Sequence, residues 1–302
     1  MRWARALLKS AAALPLLGRG GLDRLDIEEF AWRSKRTLEA LCRARTQSAY
    51  VGENEALCRI LGRYKLYLDT RDAGLGAHLL LDGFWEMGLT MHIARTVGAG
   101  MNAIDVGANF GYYTILLGAL VGETGHVVAV EPAPATAAML RRSVELNGFQ
   151  KFTTVVEAAA GTGEFAERLL HVPPREPKNA QLVSSANVVD SAGGTVHRVA
   201  EIRIDALLAE RRPVDFVKID AEGAEEAVIA GMLATLRRDR PKLVLEFNAA
   251  RAHDPDRLLG TLCDIYGTPR YLDLQGTLHG TDTASLTRDK YGIDWLVVFG
   301  RG

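Results

Sequence analysis

The residues with the clearest chemical potential lie around one glycine-rich turn. Asp105 ends a short apolar run, and Gly107, Asn109 and Gly111 follow it at alternate positions. The next ten residues, 112–121, are apolar and long enough for a helix of about three turns. A strand, a glycine turn and a helix bring bare backbone and free N–H groups to a helix N-terminus, which favours an anionic group. The sequence therefore predicts a ligand site at this turn.

A second acid narrows the class of ligand. The apolar stretch His126–Val130 is typical of a buried strand and is followed by Glu131, the position at which Rossmann-like proteins hold a ribose diol. A nicotinamide dinucleotide and S-adenosylmethionine both contain such a ribose. The spacing Gly107-x-Asn109-x-Gly111 differs from the dinucleotide pattern G-x-G-x-x-G. Asp105 can also receive the ammonium group of the methionine moiety, which NAD lacks, so the residues favour S-adenosylmethionine.

A third group of charged residues could carry proton chemistry. Asp220 ends the strand predicted at residues 214–220, Glu222 opens the following helix, and Glu246 lies near the end of the next strand. One or both of Asp220 and Glu222 could take a proton from an acceptor hydroxyl, and Asp220 is also a candidate cofactor-binding residue. Alternatively, Glu222 could simply cap its helix, and Asp220 could bond only to backbone amides of the turn. Lys218 shares a strand face with Asp220, because side chains alternate, so we expect it to pair with one acid and lower the pKa of that acid. Lys218 and Glu246 are candidate substrate-binding residues.

A divalent ion between these strands is a further alternative. Oxygen ligands from Asp220, Glu246 and Asn248 would suit Mg²⁺. Nothing in their spacing supports the third ligand, so we expect no metal.

Composition excludes several classes of protein. The chain has 302 residues, 48% hydrophobic and 24% charged, with a formal net charge of -1, which gives no basic surface for nucleic acid. Cys42, Cys58 and Cys263 are widely spaced and form no C-x-x-C pair, so neither a zinc site nor a disulfide framework is indicated. A reducing, cytoplasmic setting is the expectation.

The N-terminal sixty residues carry no catalytic candidates. Residues 1–20 contain an apolar stretch interrupted by Lys9 and Pro15, far short of the ~20 residues that a transmembrane helix needs. This favours a packing helix, with weak contact to a membrane surface or a cleaved signal peptide as alternatives. Residues 22–61 have apolar positions at helical intervals. We therefore predict a helical extension, 1–62, that serves as a lid or an oligomer surface.

The rest of the chain, 63–302, alternates short apolar strands with helical segments. Seven strands are expected from residue 103 onwards, in a mostly parallel α/β sheet with an antiparallel last strand. Residues 161–200 are too long for a plain connection and predict a β-hairpin insertion on the substrate side. Within it, His171 is the first candidate for contact with a polyhydroxylated acceptor. The other polar candidates there are Asn179, Ser184, Ser185 and His197, and Trp85, Glu86 and His92 are candidates for the cofactor mouth.

Four motifs in order resemble those of a known family. IDVGANFGYYT, AVEPAP, DFVKIDAEGAE and LVLEFN are similar to those of the FkbM-type methyltransferases, and the likeness covers roughly residues 63–299. The resemblance implies a Rossmann-like class I methyltransferase. It further implies transfer of a methyl group, most often to a hydroxyl of a sugar, a polysaccharide or another natural product.

The resemblance also implies roles for individual residues. Asp105, Gly107, Asn109 and Gly111 would line the methionine end of S-adenosylmethionine, Glu131 with Pro132 would hold the ribose, and Glu157 and Ala158 would lie near the adenine. A simple surface position for Glu157 is an equal alternative. An NAD-dependent oxidoreductase and a non-catalytic cofactor-binding module remain the competing functions, and the sequence does not name the acceptor.

Overall fold

The computed structural model of the chain describes residues 25–174, 179–183, 193–208, 212–288 and 292–300. The predicted helix within residues 1–20, with its membrane-surface alternative, lies outside these ranges.

The N-terminal extension combines helix and sheet. It contains a 3-10 helix (Ile27–Ala31), helix α1 (Lys35–Arg45) and an antiparallel sheet of β1 (Ser48–Gly52), β2 (Glu55–Ile60) and β3 (Tyr64–Asp69). The expectation of helix throughout residues 22–61 is therefore wrong for residues 48–52 and 55–60. In β2, Ala56, Cys58 and Ile60 are buried and the residues between them are half-buried, which is the period of a strand.

A mixed eight-stranded sheet forms the centre of the fold. Helices α2 (Leu75–Asp82) and α3 (Met87–Thr96) lead into its first strands, β4 (Asn102–Val106), β5 (His126–Val130) and β6 (Thr153–Val156). The insertion strands follow as β7 (Ala159–Ala160), β8 (Glu167–Val172), β9 (Gln181–Val183) and β10 (Thr195–Ile202). The sheet continues with β11 (Phe216–Ile219), β12 (Lys242–Phe247), β13 (Arg270–Leu272), β14 (Leu278–Gly280) and β15 (Trp295–Phe299).

The strand order is β14-β13-β15-β12-β11-β4-β5-β6. Strands β6, β5, β4, β11 and β12 are mutually parallel, whereas β15 is antiparallel to both of its neighbours, as expected. The expected number of seven omits β14, which pairs with β13 and is only three residues long. So short a strand shows no alternation in the sequence.

The helices between these strands cover the two faces of the sheet. They are α4 (Tyr112–Val121), α5 (Pro134–Leu146), α6 (Ile204–Leu207), α7 (Glu225–Gly231), α8 (Leu233–Asp239), α9 (Pro255–Tyr266) and α10 (Thr283–Thr287). Alternate strand residues enter separate apolar cores: Ala103 packs with the N-terminal extension and α4, and Ile104 packs with α7, α8 and α9. Among the described helices, none combines the length and the hydrophobicity needed to cross a lipid bilayer.

In the described part of the insertion, β8, β9 and β10 form a three-stranded antiparallel arrangement rather than a single hairpin. Strands β8 and β10 pair antiparallel from Glu167 with Ala200 to Val172 with Thr195, and β9 pairs with β8 on its other edge. Residues 184–192 of the predicted insertion lie outside the described residues. The insertion sheet stands beside the carboxyl ends of β4, β5 and β11, where it contributes to the cavity described next.

Candidate functional site

The turn after β4 is held in a conformation that suits glycine. Gly107, Asn109 and Gly111 all have positive φ, of 73°, 53° and 101°. A Cβ atom on Gly107 would overlap the backbone carbonyl oxygen of Asp220, and one on Gly111 would overlap the side chain of Leu140. The glycines therefore allow the turn to pack closely against the end of β11 and against α5.

The N–H groups of this turn donate within the protein. Gly107 N and Ala108 N donate to Val130 O at 3.0 and 3.1 Å, and Gly111 N donates to Ala108 O at 3.0 Å. The remaining two, Asn109 N and Phe110 N, donate to the side chains of Glu131 and of Asn109 itself. The expectation that free N–H groups of the turn attract an anion is therefore wrong for residues 107–111. These residues offer a pyrophosphate no free backbone donor.

Glu131 connects the second strand to the turn. Its carboxylate accepts hydrogen bonds from Asn109 N at 2.8 Å and from Ala133 N at 2.9 Å, and the residue is 6% exposed. Burial raises the pKa of Glu131 to about 7, against the effect of these two donors. A carboxylate has about four acceptor sites, so two remain for the hydroxyl groups of a ligand.

A cavity of about 430 Å³ opens at the carboxyl ends of the parallel strands. It is lined by six of the predicted cofactor residues, Gly107, Asn109, Glu131, Pro132, Ala158 and Asp220. Lys218 of β11, Glu246 of β12 and Glu222 line it as well. Open α/β sheets bind ligands at this edge. The structure thus brings most of the predicted site together.

Asp105 is placed behind this cavity and does not line it. The residue is fully buried, its Oδ2 accepts a 2.7 Å hydrogen bond from Thr114 Oγ1, and its Oδ1 lies 3.8 Å from Lys218 Nζ without a hydrogen bond. Burial raises the pKa of Asp105, against the effect of Lys218. Its strand position directs the side chain under α4, so direct contact between Asp105 and a ligand ammonium is not supported.

Three other predicted residues also lie outside the cavity lining. Gly111 caps α4 at its N-terminus, and Glu157 is at the surface, where it forms a 2.7 Å ion pair with Arg141. His171 Nε2 donates a 2.8 Å hydrogen bond to Gly193 O. Because residues alternate along β8, the neighbour of His171, Leu170, is the one that lines the cavity.

The other polar candidates of the insertion do not lie together in the cavity. Asn179 lines the cavity, whereas His197 is hydrogen-bonded to Thr195 at 3.0 Å; Ser184 and Ser185 lie outside the described residues.

A buried lysine, Lys218, lies between two acids, Asp220 and Asp105. Lys218 Nζ lies 3.1 Å from Asp220 Oδ2 and 4.9 Å from the ring centroid of Tyr113. Burial alone lowers the pKa of Lys218, but Asp220 and Asp105 outweigh it and the pKa is raised, so the ammonium stays charged. The predicted pairing of Lys218 with an acid is thereby found, and it involves two acids.

Arg251 forms a second centre of positive charge, which the sequence analysis missed. Its guanidinium contacts Glu222 at 2.7 Å and Glu246 at 3.1 Å, and it also bonds to Asp294. Burial and the neighbouring carboxylate of Asp220 raise the pKa of Glu246 to about 8. Arg251 follows β12 by four residues, and no motif at that spacing identifies it.

The mouth of the cavity includes two of three residues predicted there. Trp85 and Glu86 line it, and Tyr113 Oη donates a 2.6 Å hydrogen bond to Glu86. His92 does not line it. Burial, followed by the positive charges of Arg270 and Lys242, lowers the pKa of His92 to about 4.

The alternative metal site has no third ligand in position. The Asn248 amide nitrogen donates to Gly292 O and to Asp294, and its oxygen accepts from Ala250 N. In the part of the chain that the structure describes, no three His, Cys, Asp or Glu residues are grouped so that they could hold a metal ion.

Comparison with known proteins identifies the family. The fold is an α/β sheet with an acid-lined cavity at the carboxyl ends of its parallel strands. This arrangement defines the class of the protein as a Rossmann-like ligand-binding domain. The profile of the Methyltransferase FkbM domain matches residues 105–265, more than half of the chain, and the chain belongs to this family. No curated protein sequence matches the chain.

Similar solved structures are methyltransferases of low sequence identity. The FkbM methyltransferase of Methylobacillus flagellatus KT is 16% identical, with 76% of this chain and 56% of that chain covered and a TM-score of 0.41. An O-methyltransferase from Bacillus cereus in complex with SAH is 17% identical over 70% of this chain and 76% of that chain, with a TM-score of 0.37. The chain therefore spans little more than half the length of the M. flagellatus protein.

Proposed function

We propose that the protein transfers a methyl group from S-adenosylmethionine to a hydroxyl oxygen of a small-molecule or glycan acceptor, such as a sugar, a polysaccharide or another natural product. Membership of the FkbM family supports the reaction class. The observation that carries the choice of cofactor is the charge of the cavity, which is lined by six carboxylates against two cations. Such a lining stabilises a sulfonium ligand and disfavours a pyrophosphate.

The residues fit this cofactor in a specific way. Glu131 accepts hydrogen bonds from Asn109 N and Ala133 N. It has acceptor sites left for the ribose hydroxyls. Pro132 and Ala158 also line the cavity, where Pro132 would lie beside the ribose and Ala158 near the adenine. Asp105 contributes indirectly, because it lies 3.8 Å from the ammonium of Lys218 and forms part of the buried charge behind the turn.

The bound cofactor would supply an electrophilic methyl group, which leaves alignment and proton removal to the chain. Asp220 is ion-paired with Lys218, and Glu222 and Glu246 are both ion-paired with Arg251. Glu246 has a pKa raised to about 8, which matches a group that accepts a proton near neutral pH. Glu246 is therefore the best-suited base, with Asp220 and Glu222 as the sequence-based candidates.

Several accompanying proposals follow from the same site. We propose that no divalent metal is required, so that activity persists in excess chelator. The free cysteines fit a cytoplasmic setting, and an oligomer contact through the N-terminal helices stays a prediction.

Calorimetry with S-adenosylhomocysteine and NAD tests the cofactor. We expect S-adenosylhomocysteine to bind, Glu131→Gln to weaken it, and the control Glu145→Gln, at an exposed position on α5, to leave it unchanged. Binding of NAD alone would refute the proposal. Release of S-adenosylhomocysteine from S-adenosylmethionine with a panel of hydroxylated acceptors then tests transfer. Cofactor binding without turnover on any acceptor would instead favour the non-catalytic module.

A further inference from the structure

A second concave surface adjoins the candidate cofactor cavity. It is a groove of about 770 Å³ between the insertion and helices α7 and α9. The two spaces share a wall formed by Gln181, Leu182, Glu222, Ala224 and Arg251, which line both. A ligand in the groove therefore lies next to the Glu222–Arg251 ion pair and to the end of β11.

The floor of the groove differs in chemistry from the cavity. Aliphatic side chains line part of it, namely Ala227 and Ala230 of α7, Leu233 of α8, Leu258 of α9 and Leu182 of the insertion. Polar residues, which include Arg168, Glu226, His253 and Arg257, line the rest. Ala230 is exposed and Ala227 is half-buried. Among the described residues, those that line the groove include no Phe, Tyr or Trp, whereas the cavity is lined by Trp85, Tyr112 and Tyr113 in addition to its carboxylates.

The sizes of the two spaces suggest that the cavity holds the cofactor and the groove holds part of the acceptor. Ligand sites for drug-sized molecules have volumes of about 300 to 1,000 Å³. The cavity, at about 430 Å³, is at the lower end of that range, and one nucleoside cofactor would largely fill it. An acceptor that brings a hydroxyl to this cavity must extend out of it, and the groove is the space that is continuous with it.

We propose that the groove binds the aliphatic part of the acceptor, whose hydroxyl reaches the cavity past Glu222 and Arg251. This inference rests on the proposed function and selects one acceptor class, a hydroxylated molecule with an alkyl portion. Burial of alkyl groups on the aliphatic floor is favourable. A bare oligosaccharide would meet the polar residues of the lining but would leave this aliphatic surface without an apolar partner.

Binding of n-octyl β-D-glucoside below its micellar concentration tests the proposal. It is measured by calorimetry on the full chain saturated with S-adenosylhomocysteine. Methyl β-D-glucoside has the same head without the chain, and maltotetraose is a glycan without an alkyl group. We expect the octyl compound to bind at least about tenfold more tightly than either, with a negative heat-capacity change that marks apolar burial.

A groove variant and a matched control locate the binding. Ala230→Gln places a polar side chain on the floor and should weaken the octyl compound at least about fivefold, because it removes part of the apolar surface. Ala138→Gln makes the same change at an exposed helical alanine on α5, away from both spaces, and should have no effect. Equal affinity for Ala230→Gln and the unchanged chain, or equal binding of maltotetraose, would overturn the proposal.

Binding of S-adenosylhomocysteine is measured separately on each variant. If it fails on the unchanged chain, the proposed function fails. If it is retained while the octyl compound does not bind, only the assignment of the groove fails.

Discussion

Lys218 and Asp105 are register partners on the adjacent parallel strands β11 and β4, and Lys218 Nζ lies 3.8 Å from Asp105 Oδ1. This places a buried ammonium directly behind the glycine turn. We expect Lys218→Met to destabilise the protein by about 3 to 5 kcal/mol, because it leaves a buried carboxylate without its counter-charge. Urea unfolding followed by circular dichroism measures the change.

A double variant separates this effect from lost packing. Asp105→Asn combined with Lys218→Met removes both charges, and it should be more stable than Lys218→Met alone. A Lys218→Met protein within about 0.5 kcal/mol of the unchanged chain would contradict the counter-charge role, since that is the range of ordinary surface substitutions.

Gly107 is expected to tolerate no side chain. Gly107→Ala would force a Cβ into the carbonyl oxygen of Asp220 at a φ of 73°, so the turn must move. We expect a loss of about 2 kcal/mol or more in unfolding free energy, together with weaker binding of S-adenosylhomocysteine. Gly260→Ala is the control, because it lies in α9 with open space around its Cβ and should be neutral or stabilising.

Cofactor affinity should rise with pH. Ribose hydroxyls donate hydrogen bonds to the ionised form of Glu131, whose pKa is about 7 in the free protein. A ligand that binds only this form gains about tenfold in affinity between pH 6 and pH 8. Calorimetry with S-adenosylhomocysteine across this range measures the slope, and Glu131→Gln should flatten it. A pH-independent affinity in the unchanged protein would count against ribose binding by Glu131.

Stability of the free protein should fall as pH rises through the same region. A glutamate carboxyl in an unfolded chain has an ordinary pKa of 4.5, whereas the folded protein raises the pKa of Glu131 to about 7 and that of Glu246 to about 8. The folded state therefore holds protons that the unfolded state has released, so its stability decreases from about pH 4.5 to about pH 8 and then levels off. Thermal unfolding should show a declining Tm, and Glu246→Gln should reduce the decline above about pH 7. An increasing Tm in the unchanged protein would contradict this.

The turn and Glu131 could be predicted because each belongs to a local pattern. A glycine spacing next to a strand, and an acid directly after the next strand, are visible within about thirty residues of sequence. Asp105 has the same local signature, yet its side chain is covered by α4 and paired across the sheet with Lys218. The sequence shows that an acid is present, but the face on which it lies depends on which helix covers that strand.

Arg251 and Asp294 could not be predicted for a different reason. They meet because β15 runs antiparallel to β12, with Phe247 opposite Trp295, and this register brings Asp294 next to Asn248. Forty-three residues separate Arg251 from Asp294, and no short motif contains both. Contacts that depend on non-local strand register leave no periodic signal.

The N-terminal extension has a consequence for how the chain can be shortened. Phe30 and Leu38 share one apolar core with Ile93 and Ile115. Ser143 of α5 accepts a hydrogen bond from the backbone of β3, and Asn147, which follows α5, both accepts from and donates to that backbone. The match to the family profile begins only at residue 105. A fragment trimmed to that match would uncover the inner surface of α4 and aggregate, and the intact protein should melt in one cooperative step that includes the extension.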